Sequence, residues 1–195
     1  MFRIHHKLLH WLFGLLVCAY VVLGRPPEIF TGWPAELSEL VGFVFLSVAA
    51  LGRIWCLVFL AGKKNQTLLT EGPYSIVRNP LYLFSFLGVV GFGLAFDNPY
   101  LAAILGIAVF CYYALKVARE ERHLASIFGT TYAQYCAKTP RWIPNLRLYR
   151  EPLMLTVHPA KIRHGVLDAM WFLWAFLLSE VLEKLHQSGI LPVWM

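Results

Sequence analysis

Five stretches of the 195-residue chain are long, apolar and poor in charge: Leu8–Gly24, Leu37–Ala61, Leu81–Phe96, Tyr100–Leu115 and Gly165–Leu182. A helix needs about 17–25 mostly apolar residues to cross the hydrocarbon of a bilayer. The pattern therefore predicts an all-α, polytopic membrane protein with about five transmembrane helices, folded as a single domain over residues 1–195. The third and fourth stretches are short and separated only by Asp97-Asn98-Pro99, a turn signal, which predicts a helical hairpin.

The polar positions between these stretches sort by side. Arg3 and Lys7 precede the first; Lys63, Lys64 and Arg78 lie between the second and third; a basic run from Lys116 to Arg163 follows the fourth. The remaining loops are poor in Lys and Arg, so the N-terminus is expected in the cytoplasm and the C-terminus outside. In a prokaryote that places the chain in the inner membrane. Beyond the fourth stretch, Leu124, Phe128, Tyr132 and Tyr135 recur at three and four within Arg119–Lys138, which marks one helical face. This predicts a cytoplasmic helix, continuing from the fourth span or kinked away from it. A basic, proline-punctuated connector, Pro144–Arg163, then leads to the last span. Arg53 sits inside the second stretch; it faces a cavity or partner, or it snorkels to the interface.

Composition agrees with the pattern. Hydrophobic residues make up 58% and charged ones 14%, against roughly 45–50% and about 25% in soluble domains. The net charge of +6 comes from basic residues interrupted by apolar runs, which fits membrane flanks and argues against a nucleic-acid surface. The basic start, MFRIHHK, lacks a following small-x-small cleavage site, so the first stretch reads as a span and not as a cleaved leader. Cys18, Cys56, Cys111 and Cys136 form no C-x-x-C pair and read as small hydrophobes. His6 and His10 have no third ligand nearby; no metal site is expected.

Two polar clusters flank the hairpin. Tyr74, Arg78, Asn79 and Tyr82 stand at the start of the third span, and Lys116, Arg119, Glu120 and Glu121 at the end of the fourth. Antiparallel pairing brings these ends together, so Arg78 is expected to pair with Glu120 or Glu121. The Asn-Pro helix start adds free N–H groups that favour anionic atoms. Such a corner suits a zwitterionic or cationic ligand with a ring system. Interfacial anchoring accounts for one Arg or one Tyr, but less well for a paired glutamate.

The segments GPYSIVRNPLY (72–82) and EERHLASIFGTTYAQYCAKTPRWIP (120–144) resemble the integral membrane methyltransferases of the isoprenylcysteine carboxyl methyltransferase and phospholipid methyltransferase families. The shared pattern is GPY, Arg-His-Pro-x-Tyr, then Glu-Glu-x-x-Leu-x-x-x-Phe-Gly-x-x-Tyr-x-x-Tyr and Pro-Arg-x-x-Pro. It covers about the middle half of the chain, 52–144, and leaves the C-terminal helix outside it. The resemblance implies S-adenosylmethionine bound at the cytoplasmic helix ends, with Gln66, Thr67, Leu68, Leu69, Tyr74, Asn79, Pro80, Leu81 and Tyr82 lining the site and Glu121 holding the cofactor. Gly91-Phe92-Gly93 matches a Gly-x-Gly near the cofactor in the phospholipid enzymes, although small residues at that spacing equally serve close helix packing.

Two positions depart from the pattern. Lys116 stands where the isoprenylcysteine enzymes carry an arginine for the substrate carboxylate, and it lacks the planar fork. Asn79 replaces a histidine and cannot titrate near neutral pH. The implied activity is methyl transfer by in-line displacement to a lipophilic, membrane-partitioned acceptor, carboxylate or amine, and a prenylated protein is not carried over as that acceptor. Lys116 would steady a carboxylate; Glu120 or Tyr82 would serve as base for an amine. Membrane reductases of the sterol type share a related core and bind NADPH, but tend to lack the Glu-Glu-Phe-Gly tail. A non-enzymatic scaffold is the third reading. The acceptor atom and the oligomeric state stay open.

Overall fold

Each helix of the central region has a proline at or next to its first residue. The computed structural model describes residues 32–61, 66–96 and 98–189. In it, α1 spans Trp33–Leu60, the short α2 Pro73–Ile76, α3 Pro80–Ala95, α4 Pro99–Lys138 and α5 Pro159–Gln187, with a 3-10 turn at Leu146–Leu148. A proline stands in the first two positions of α1, α2, α3 and α4. There its fixed φ favours the helix and its missing N–H is no loss. Among the described residues there is no strand.

α1, with 28 residues, and α4, with 40, are long and apolar enough to cross a membrane; α3 is a shorter apolar helix of 16. At 1.5 Å per residue, α1 is about 42 Å long and α3 about 24 Å. The expected first span, Leu8–Gly24, lies outside the described residues, and the expected last one, Gly165–Leu182, falls within α5.

α3 packs against α1, α4 and α5, and α5 also lies against α1. Small residues make these contacts. A Cβ added at Gly42 would sit 2.5 Å from the Ala95 nitrogen, and one at Gly91 would sit 2.7 Å from the Phe45 Cβ, so α1 and α3 touch backbone to backbone. Gly93 meets Ala102 of α4 in the same way. Gly91 and Gly93 therefore serve packing, one of the two roles open in the sequence. Large side chains point outward: Leu51 on α1, Ile104 and Ile107 on α4, Trp171 and Trp174 on α5 are all exposed. This apolar exterior around a core of Leu46, Ala49, Ala50 and Cys56 suits a hydrocarbon surround better than water.

Arg53 does not snorkel. Its guanidinium bonds Ser85 of α3 and Asp168 of α5 and lies 5.6 Å from the centre of the Phe172 ring. Of the two expectations for the segment beyond the fourth stretch, α4 follows the continuous one as far as Gly129. It runs unbroken past Glu121 and breaks at Gly129, with φ 50° and ψ −123°. That conformation is costly for any residue with a Cβ. After Lys138 the chain forms a strap over α2: Arg78 N–H donates to Pro140 O (2.9 Å), Asn145 N–H to Ile76 O (2.9 Å) and Gly72 N–H to Arg150 O (2.7 Å).

Candidate functional site

The hairpin ends and the segment returning after Gly129 enclose a cavity of about 120 Å³. α3 contributes Pro80, Leu81 and Tyr82; α4 contributes Glu120, Leu124, Tyr132 and Tyr135; the preceding loop and α2 contribute Thr67, Leu68, Leu69, Tyr74, Arg78 and Asn79; Leu60 ends α1. Nine of the sequence-predicted residues thus line one space: Thr67, Leu68, Leu69, Tyr74, Asn79, Pro80, Leu81, Tyr82 and Glu120. Gln66 does not; it is exposed and outside the lining. Lys116 and Glu121 are also absent from the lining.

The two glutamates have different surroundings. Glu120 faces the cavity and accepts a hydrogen bond from the Tyr82 hydroxyl at 2.6 Å. Glu121 lies behind the wall with its side chain 14% exposed. Its Oε2 is 2.8 Å from an Arg141 guanidinium nitrogen, while its Oε1 accepts from Asn79 Nδ2 at 3.1 Å and lies 3.5 Å from Arg78. The expected pairing of Arg78 with one of these glutamates is therefore present, with Glu121. Arg78 also donates through Nε to Thr139 O (2.7 Å) and through a terminal nitrogen to Cys136 O (3.1 Å), capping the end of α4. Lys116 is exposed, its ammonium 5.3 Å from the Tyr82 ring centre and 5.8 Å from that of Tyr112.

Aromatic hydroxyls complete the wall. Tyr135 donates to Tyr74 O at 2.7 Å. Burial pushes the Tyr74 hydroxyl well above its ordinary value, and burial likewise raises Tyr132 and Tyr135. All three stay neutral donors at physiological pH.

Arg141, Leu124, Tyr132 and Tyr135 were not among the expected site residues. The spacing of Leu124, Tyr132 and Tyr135 marked a helical face, but only the break at Gly129 turns the two tyrosines back onto α2. Arg141 carried a signal in the Pro-Arg-x-x-Pro segment, without a partner to give it meaning.

Apolar helices that end around an aromatic-walled cavity carrying a carboxylate define a helical protein of membrane type with a cavity at its helix ends. The chain belongs to the phospholipid methyltransferase and isoprenylcysteine methyltransferase-like family. Residues 40–131 match the phospholipid methyltransferase family. The chain is 36% identical over 159 residues to cobalt-zinc-cadmium resistance protein CzcN of Cupriavidus metallidurans, covering 82% of this chain and 73% of that protein. It is 30% identical over 194 residues to nickel-cobalt-cadmium resistance protein NccN of Alcaligenes xylosoxydans xylosoxydans, covering 100% and 91%. Protein-S-isoprenylcysteine O-methyltransferase B of Arabidopsis thaliana is 30% identical over 88 residues, 45% of each chain. No solved structure gives a significant match.

Proposed function

We propose that the chain is an S-adenosylmethionine-dependent methyltransferase acting on a lipophilic acceptor at the cytoplasmic face of a membrane that it crosses about five times. The observation that carries this reading is the convergence of the Glu120 carboxylate and the Tyr74, Tyr82 and Tyr132 side chains on one cavity at the start of α3. These groups fit the cofactor's chemistry. A carboxylate and aromatic faces suit an ammonium and a sulfonium, each cation–π contact contributing about 0.5–2 kcal/mol. The first turn of α3 leaves backbone N–H groups for a carboxylate. When bound, the cofactor supplies an electrophilic methyl group on sulfur.

The chain's own residues then have separable tasks. Leu68, Leu69, Leu81 and Leu124 keep water from the cavity. Tyr82 holds Glu120 in place through its hydroxyl, so Glu120 is the better placed to take a proton from an amine acceptor, and Tyr82 acts by orienting it. Lys116, spread over the Tyr82 and Tyr112 rings, supplies positive charge beside the cavity for a carboxylate acceptor. In this reading Glu121, the match to the family's cofactor-holding glutamate, acts through Arg78 and Asn79, which it binds and which line the cavity. Alignment is the main catalytic demand of an in-line displacement, and it can supply roughly 7–11 kcal/mol of the barrier.

Relatives named for resistance to cobalt, zinc, cadmium and nickel suggest a setting: methylation of a membrane component in cells exposed to those ions. Reporter fusions after Ile143 and after Met195 should report opposite sides of the membrane; identical sides would mean that the last apolar run does not span.

Calorimetric titration in nanodiscs tests the activity class. The unmodified protein should bind S-adenosylmethionine and S-adenosylhomocysteine but not NADPH, whose phosphates a carboxylate repels. A charge-assisted hydrogen bond is worth roughly 1.5–3 kcal/mol, and 1.4 kcal/mol is one decade, so Glu120→Gln should weaken both adenosyl ligands at least about tenfold. Binding of NADPH and of neither adenosyl ligand would overturn the reading.

A further inference from the structure

Two further cavities are bordered by the strap. One is a groove of about 560 Å³ walled almost wholly by carbon: Trp55 of α1, Phe84 and Leu87 of α3, and Tyr149 of the strap. The other, about 680 Å³, is bordered by Lys138 and Arg147 with no carboxylate among its lining residues. Pro144 and Leu146 border both, so the two spaces adjoin.

The groove shares no lining residue with the candidate catalytic cavity. Its walls are fixed. Asn145 is bonded to Ile76 and Arg150 to Gly72 through backbone groups, and the Trp55 and Tyr149 rings lie 6.0 Å apart. The third lining cation of the neighbouring space, Arg78, is already committed to Glu121 and two carbonyls. Lys138 and Arg147 are exposed and, among the described residues, not ion-paired.

We infer that this pair of cavities holds one phospholipid with an anionic headgroup, its acyl chain in the groove and its phosphate between Lys138 and Arg147. The chemistry selects this occupant in two parts. α1 and α3, which line the groove, are apolar helices read above as membrane-spanning, so acyl chain is the material that would meet it, and an apolar groove gains by taking one up. Two cations without an ion pair among the described residues, bordering a space whose lining holds no carboxylate, then favour a headgroup whose phosphate lacks its own cation. The inference rests on the membrane reading above and not on methyl transfer.

The test is a titration of dioleoyl phosphatidylglycerol into delipidated full-length protein in an uncharged detergent, followed by native mass spectrometry and by thermal melting. One lipid per chain should bind and raise Tm, with phosphatidylcholine of the same chains at least tenfold weaker. Arg147→Ala combined with Lys138→Ala should weaken phosphatidylglycerol at least tenfold and leave S-adenosylhomocysteine affinity within twofold. Leu87→Trp, filling the groove, should also abolish binding; Leu83→Trp gives a second groove variant should the first not fold. Equal binding of phosphatidylcholine, or full binding by the doubly substituted protein, would overturn the proposal. So would equal stabilisation by inorganic phosphate, which carries the anion without the chain. Loss of adenosyl binding in unmodified protein would instead speak against methyl transfer and leave the lipid site standing.

Discussion

Arg78→Ala removes one guanidinium that ties the start of α3 to Glu121 and to the end of α4. Three of its contacts are polar: Thr139 O at 2.7 Å, Cys136 O at 3.1 Å and Glu121 at 3.5 Å. The two carbonyls end α4 and lose their partner, while Glu121 keeps Arg141 at 2.8 Å and Asn79 at 3.1 Å. A hydrogen bond to a charged group is worth roughly 1.5–3 kcal/mol. The Arg78 side chain is 20% exposed, so water reclaims part of the two carbonyl bonds, and the loss should be about 2–4 kcal/mol. Arg141→Ala should cost about 1 kcal/mol, because its side chain is 39% exposed and Glu121 retains two partners. At roughly 2–4 °C per kcal/mol for a chain of this size, the Tm values should fall by about 5–15 °C and by about 2–4 °C. Arg78→Lys should rescue little, since an ammonium has no planar fork to reach two carbonyls and a carboxylate at once. Thermal melting in one detergent, with S-adenosylhomocysteine titrated into each variant, reads both stability and site integrity. Arg78→Ala melting within about 2 °C of the parent, or Arg141→Ala costing the more of the two, would refute the assignment of Arg78 as the cap on α4.

Three other perturbations probe separate features. Gly129→Ala forces a Cβ into φ 50°, ψ −123° and should cost about 1–3 kcal/mol; a Tm unchanged by it would mean that the break in α4 is absent. Tyr74, Tyr132 and Tyr135 have hydroxyls raised above the tyrosine value of 10. For an acid raised in the folded state, the stability gained is complete below the unfolded value and lost as pH rises towards the folded one, so Tm should hold up to about pH 10 and fall beyond it. Tyr135→Phe should flatten that alkaline fall, and an identical profile would contradict the burial of its hydroxyl. Asp168→Leu leaves the Arg53 guanidinium with Ser85 as its hydrogen-bond partner and, because the Asp168 side chain is 60% exposed, should destabilise by about 1 kcal/mol, while Arg53→Met with Asp168→Leu together should be the more stable of the two variants. Additive losses in that double-substitution cycle would mean that the pair does not interact.

The local pattern carried much of the architecture. Apolar stretches and prolines located α1, α3, α4 and α5, because hydropathy and a fixed φ act within a few residues. The turn at Asp97-Asn98-Pro99 implied an antiparallel hairpin, and from the hairpin followed the meeting of Arg78 with a glutamate. Family motifs pointed at Tyr74, Asn79, Tyr82 and Glu121 as neighbours, and the polar cluster at the end of the fourth stretch added Glu120. Other features depended on contacts between residues far apart in the chain. Glu120 and Glu121 are adjacent in sequence, yet about 100° apart around a helix of 3.6 residues per turn, so only the packing of α3 and the return after Gly129 turn one toward the cavity and the other toward Arg141. Arg53 and Asp168 are 115 positions apart, and no period links them. The strap from Thr139 to Arg150 has no hydrophobic period of its own; its place over α2 comes from backbone hydrogen bonds to partners more than sixty residues away, formed only once the helices have packed.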